Sequence, residues 1–305
     1  LALSGIGIMS SSYIPVAAVV GQWFVKHVAI ATGVSMLGIG VGGGLFPLLT
    51  GDLLESQGYH GAFVVLAGCT LTALIPVALF IRPPDSTASE AGQTVDDEIE
   101  TVDESRDLTL LQAVKSRSFW GLNTGDLLTG MIFTIFNAAL VSYITEDTGD
   151  PDLATMVFSV YGFGLGFGIL VFGPLGDIFN FRRVFVLCYF LPTIGTAILA
   201  FSNQPVAAYT FAVIVGFAGG GRSALFPAAI LKSFGGANMA SIYGLSNTLF
   251  MFGVAAAPPL AGWLLETTGK TSSIYIFGVV AFLLSTFLVS LIRDEREVLH
   301  GPVDS

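Results

Sequence analysis

Charged residues are scarce in this chain. Among 305 residues there are 12 Lys and Arg and 22 Asp and Glu, so charged residues make up 11% and hydrophobic residues 53%. A soluble globular domain carries about 25% charged residues, and the composition therefore excludes an ordinary soluble protein. The mean hydropathy of +0.79 agrees. We predict a multi-pass protein of a cell membrane (plasma or inner membrane), with the lipid bilayer as its first partner.

Cysteine and histidine are also rare. Cys69 and Cys188 both fall in apolar segments, which leaves no extracellular disulfide framework to infer. The three histidines, His27, His60 and His300, are scattered over loop or tail positions, and no phosphate-binding loop or nucleophile motif is present. We therefore expect no catalytic residue, no metal and no cofactor. The sequence predicts a protein that is not an enzyme and has no nucleic-acid partner.

Long apolar runs are the dominant feature of what the sequence does contain. Lipid accepts only helices or a closed barrel, and these runs are too long for barrel strands, so the predicted fold class is all-α. The nine predicted spans are roughly 1–21, 29–51, 61–81, 119–144, 153–176, 183–202, 206–231, 239–264 and 272–292.

The chain contains an internal repeat at an offset of 211 residues. At this offset the first three spans align with the last three without a gap, and residues 51–58 lie over 262–269. Several of the aligned identities are glycines and prolines, which control helix approach and kinking. They include Gly5 with Gly216, Gly33 with Gly244, Gly42 with Gly253, Pro47 with Pro258 and Gly51 with Gly262.

Three spans precede the second copy of the repeat and none precedes the first. We therefore expect the complete protein to carry three more spans before Leu1, giving two parallel halves of six. The segment from Gly173 to Arg183 (GPLGDIFNFRR) resembles the cytoplasmic loop signature of the major facilitator superfamily. This resemblance implies a polytopic major facilitator fold, of which the chain supplies helices four to twelve of two six-helix bundles.

Four domains follow from this assignment. They are a partial N-terminal bundle of three helices (1–81), an acidic cytoplasmic linker (82–118), a C-terminal six-helix bundle (119–293) and a cytoplasmic tail (294–305). The positive charges support the orientation, because ten Lys and Arg residues fall in segments placed in the cytoplasm and only Lys270 falls outside.

Two stretches resemble one branch of the superfamily, the monocarboxylate transporters and the oxalate:formate antiporter. They are residues 23–44, with the glycine-rich GIGVGGG at 38–44, and residues 108–120. The chain departs from the branch at His27 and Val28, where basic residues are usual. It departs again at 161–168, an uncharged stretch of the eighth helix where many members place a substrate-binding arginine. No substrate residue is transferred from the branch for this reason.

Arg222 and Asp126 are the two charges placed deep inside predicted spans. Such charges are costly in lipid and indicate a functional site. Arg222 lies ten residues from Lys232 and Asp126 nine from Arg117, which puts both about 14–15 Å from the cytoplasmic ends of their helices. Arg222 would bind a carboxylate, and Asp126 would compete for the arginine or carry a coupling proton. The alternative is a permanent ion pair that only holds two helices together.

Weaker site predictions concern uncharged polar residues and one loop. Asn123, Asn137, Ser11 and Tyr13 are candidates for contact with substrate, with the alternative that each bonds to neighbouring helix backbone or water.

A candidate cytoplasmic gate is formed by Asp177, Arg182 and Arg183, because ion pairs at helix ends break cheaply in water. In this loop Asn180 takes a turn position usual for glycine, which is acceptable because asparagine tolerates a positive φ.

The predicted function is secondary active transport of small, monocarboxylate-like organic anions by alternating access. The partners would be the anion and either a proton or a counter-anion. Two alternatives stay open, an efflux transporter of amphipathic drugs and a non-transporting membrane sensor with a transporter fold.

Overall fold

A computed structural model describes residues 28–80, 107–202, 204–236 and 238–292. In these ranges the regular structure is helical, which confirms the all-α class. The helices are α1 (Val28–Phe80), α2 (Leu110–Lys115), α3 (Arg117–Thr148), α4 (Pro151–Ile178), α5 (Phe181–Phe201), α6 (Pro205–Phe234), α7 (Met239–Thr268) and α8 (Ser272–Ser290). Eight stretches within the described residues are long and apolar enough to cross a membrane. The first predicted span, 1–21, lies outside them.

Helix α1 consists of two membrane-length helices joined at Gly58. The apolar stretches Leu37–Leu54 and Ser56–Ile75 follow one another along α1. Gly58, near the start of the second stretch, has φ 68° and ψ −176°, a conformation open to glycine. Gly269, which lies 211 residues further on, ends α7 with φ 65°. The repeat seen in the sequence therefore extends to a glycine with positive φ at the same place in both copies.

Short connections make successive long helices antiparallel. Gly149 ends α3 in the left-handed conformation (φ 73°), and Asp150 then caps α4 by accepting hydrogen bonds from the N–H groups of Asp152 and Leu153, both at 3.0 Å. Pro151 follows the cap, where a missing N–H costs nothing. With connections this short, α3 to α8 must cross the membrane in alternating directions.

Helix α4 lies between α1 and α6 and presents a glycine face to each. A Cβ added at Gly166 would lie 2.7 Å from the Cα of Gly40 in α1, and one added at Gly164 would lie 3.2 Å from the backbone nitrogen of Phe217 in α6. Backbones come this close only where side chains are missing. In the rest of the bundle, α5 packs on α6 and α8, and α3 packs on α7 and α8.

Two apolar clusters fill the bundle, one towards each end of the helices. Along α3, Leu122 belongs to one cluster and Met131 to the other; along α6, Leu225 and Val215 divide in the same way. Asp126 and Arg222 belong to neither cluster. The fold therefore places the two charges in a layer between two apolar regions.

Candidate functional site

An ion pair between α3 and α6 forms the centre of this layer. The Nη1 group of Arg222 donates to Oδ1 of Asp126 at 2.5 Å. The side chains are 14% and 5% exposed, respectively. The two charges that the sequence places at matching depths inside predicted spans are thus in direct contact, deep in the bundle.

Tyr189 is a third member of the site, and sequence analysis did not select it. Its hydroxyl donates to the same Oδ1 of Asp126 at 2.8 Å, and the residue is fully buried in α5. Its ring packs edge-to-face on Phe185, with the centroids 5.1 Å apart. In the sequence Tyr189 is an uncharged residue inside an apolar run, so no charge marked it.

Two phenylalanines flank the guanidinium of Arg222. Its Cζ lies 5.8 Å from the ring centroid of Phe133 and 5.4 Å from that of Phe250, within the range of cation–π attraction. Glycines make room for both rings: an added Cβ at Gly219 would lie 2.8 Å from the Phe133 ring, and Gly130 lies directly against Phe250. The arginine is therefore held by aromatic neighbours as well as by its counter-ion.

The hydrogen-bonding capacity of Arg222 is not exhausted by Asp126. A guanidinium has five N–H donors, and the buried Nε finds no acceptor in the described part of the protein. A buried donor left without an acceptor costs about 1–3 kcal/mol. This spare donor gives an external oxygen acceptor a physical reason to bind at Arg222.

The two described asparagine candidates use their donors within the protein. The Nδ2 group of Asn123 donates to the carbonyl of Phe119 at 2.8 Å. The Nδ2 group of Asn137 donates to the carbonyl of Phe133 at 2.8 Å and to the Tyr161 hydroxyl at 3.3 Å. Their side chains thus stabilise α3 and its contact with α4. Ser11 and Tyr13 lie outside the described residues.

The predicted gate is described only in part. Arg182 donates from Nη2 to the main-chain carbonyl of Ser290, one of the carbonyls that the end of α8 leaves without a helical partner. Arg183 is exposed, and its main-chain N–H donates to Oδ1 of Asn180 at 3.3 Å. The side chain of Asp177 lies outside the described part.

Asn180 does not use the positive φ that asparagine tolerates. Asn180 has φ −59° and ψ 107° and caps the start of α5 with its side chain. The physical reason is that the start of α5 needs a side-chain hydrogen-bond acceptor at its N-cap, which asparagine supplies and glycine lacks.

Antiparallel membrane-length helices, close glycine packing and a buried ion pair define a polytopic helical membrane protein. The model of the Major Facilitator Superfamily matches residues 1–135 and 122–304, and the chain belongs to this superfamily. It is thereby a member of a transporter family and not an enzyme, and it is a multi-pass membrane protein.

Proteins similar to this chain at low sequence identity are also named as transporters. The chain is 24% identical to monocarboxylate transporter 12 of Mus musculus over 99% of its own length and 67% of the relative's. It is 25% identical to monocarboxylate transporter 12-B of Danio rerio over 95% and 66% of the two lengths. It is 26% identical to the MFS transporter asaE of Aspergillus flavus over 90% and 61%. The chain thus spans about two thirds of the length of these relatives.

Proposed function

We propose that the protein transports small monocarboxylate-like anions by alternating access and that Arg222 binds the carboxylate. The observation that carries the proposal is the spare donor: Arg222 is paired through Nη1, while its buried Nε has no acceptor among the described residues. The relatives named as monocarboxylate transporters support the same substrate class.

The geometry suggests how binding would work. A planar guanidinium matches a planar carboxylate better than a point charge would, because two N–H groups can donate in parallel. The incoming anion would compete with Asp126 for these donors. An Asp126 released in this way would bind a proton or keep its charge, so anion binding and protonation would be linked. Proton symport and anion exchange both follow from this linkage.

A second candidate is the efflux of amphipathic drugs. It is favoured by the closed ion pair, which carries no net charge, and by the aromatic rings of Phe133 and Phe250 beside it. In this case the pair would hold α3 to α6 permanently. The substrate would then contact the aromatic rings instead of the guanidinium.

The proposal is tested by uptake of radiolabelled lactate, pyruvate and benzoate into proteoliposomes of the full-length protein, with and without an inward proton gradient. We expect saturable uptake in which the carboxylates compete with one another. If a proton gradient drives uptake, Asp126→Asn should remove the dependence on the gradient. Absence of saturable carboxylate uptake, together with transport of an amphipathic dye, would favour the second candidate and reject the first.

A further inference from the structure

Tyr189 contributes a hydrogen bond to which the sequence argument and the proposed function assign no role. Its hydroxyl and the guanidinium of Arg222 both donate to Oδ1 of Asp126, at 2.8 and 2.5 Å. The two donors come from different helices, α5 and α6, and they meet on a single oxygen. Asp126 is 3% exposed, so water has little access to replace either donor.

We infer that Tyr189 is a positioning residue that holds Asp126 when Arg222 turns from the aspartate to the transported anion. This inference rests on the proposed function. When the anion takes Arg222, Asp126 loses one of its two donors, and a buried carboxylate without any donor is costly. The Tyr189 hydroxyl keeps one hydrogen bond on the carboxylate and so lowers the free energy of opening the ion pair.

The hydrogen bond from Tyr189 is present in both states, but it contributes more in the open one. In the closed state the charge of Asp126 is already neutralised by Arg222 at 2.5 Å. In the open state Tyr189 is the remaining donor, so the ionised carboxylate depends on this one charge-assisted hydrogen bond. Removal of the hydroxyl should therefore disfavour the open, anion-binding state.

Two other polar side chains near the ion pair, those of Tyr161 and Cys188, do not replace Tyr189 as a hydrogen-bond donor to Asp126. Tyr161 is buried in α4, but its hydroxyl contacts Asn137, and among the described residues the hydrogen bonds to Asp126 come from Tyr189 and Arg222. Cys188, the neighbour of Tyr189 in α5, lies against Gly221, the residue that precedes Arg222. Its thiol is only a weak hydrogen-bond donor. Tyr189 is thus the residue whose geometry suits the role.

The test uses Tyr189→Phe in the full-length protein, since phenylalanine keeps the ring packed on Phe185 and removes only the hydroxyl. We expect the KM for radiolabelled lactate to rise roughly tenfold, the factor that corresponds to about 1.4 kcal/mol, with Vmax changed by less than about twofold. The matched control is Tyr275→Phe, which removes a hydroxyl from a tyrosine buried to the same degree in α8. The control should leave KM unchanged.

A double-mutant cycle separates positioning from a general effect on the fold. In the Asp126→Asn background there is no buried carboxylate to hold, so adding Tyr189→Phe should change KM by less than about twofold. The Kd for lactate, taken from the thermal shift of the purified variants, completes the cycle even where turnover is slow. An unchanged KM and Kd in Tyr189→Phe, or an equal rise in the Asp126→Asn background, would overturn the inference.

Uptake by Arg222→Gln, measured in the same experiment, distinguishes failure of the proposed function from failure of the inference about Tyr189. If it leaves uptake intact, the proposed function itself is wrong and the role of Tyr189 falls with it. If it abolishes uptake while Tyr189→Phe behaves as the unmodified protein, the inference alone is wrong.

Discussion

At the scale of single residues, the ion pair of Arg222 and Asp126 determines how substitutions in the site change the free energy of unfolding. Asp126 is buried and Arg222 is largely buried between the apolar clusters, and each charge is tolerated because the other is 2.5 Å away. A buried ion pair adds little net stability over an uncharged pair, but the loss of one partner leaves an uncompensated charge. Single and double substitutions should therefore behave very differently.

Asp126→Asn should lower the free energy of unfolding by about 3 kcal/mol, because Arg222 then remains charged without its counter-ion. The double variant Asp126→Asn/Arg222→Gln should recover most of this loss, since no unpaired charge stays behind. Thermal melting of the purified protein measures both. A double variant that is less stable than Asp126→Asn by itself would contradict this account of the pair.

At the scale of helices, glycine contacts set how closely α4 and α6 approach. Gly220 of α6 lies against the backbone of Leu165 and Ile169, so that an added Cβ would meet main-chain atoms that cannot move aside. This closeness also fixes the position of Arg222, two residues further along α6. A methyl group at Gly220 should therefore push the two helices apart.

Gly220→Ala should destabilise the protein by about 1–3 kcal/mol, the usual cost of overpacking. The control is Gly244→Ala in α7, where an added Cβ meets no atom of the described residues within 4 Å. There the better helix propensity of alanine should leave stability unchanged or raise it by up to about 1 kcal/mol. Melting temperatures of the two variants provide the comparison, and equal effects would refute the packing argument.

At the scale of the whole molecule, the features that depend on composition and spacing could be predicted from the sequence. The length of the apolar runs predicted the helical class. Charge inside an apolar span singled out Arg222 and Asp126, and their equal depth indicated that they could meet. Tyr189 was missed because a tyrosine inside an apolar run carries no charge signal, and because hydropathy does not give the rotation of α5. The N-cap role of Asn180 was missed because the residue was interpreted by analogy with the loop motif. The need of a helix start for a side-chain hydrogen-bond acceptor would have predicted it.

The most direct test of the central claim, that Arg222 binds the transported carboxylate, is lactate uptake by the full-length Asp126→Asn/Arg222→Gln variant. This variant has no buried charge left unpaired, so loss of uptake cannot be ascribed to an uncompensated charge. Size-exclusion and melting profiles close to those of the unmodified protein would verify the fold. We predict that the KM for lactate rises at least about thirtyfold, as expected when charge-assisted hydrogen bonds worth about 2 kcal/mol are removed. Saturable uptake with an unchanged KM would show that the ion pair is structural and would contradict the account.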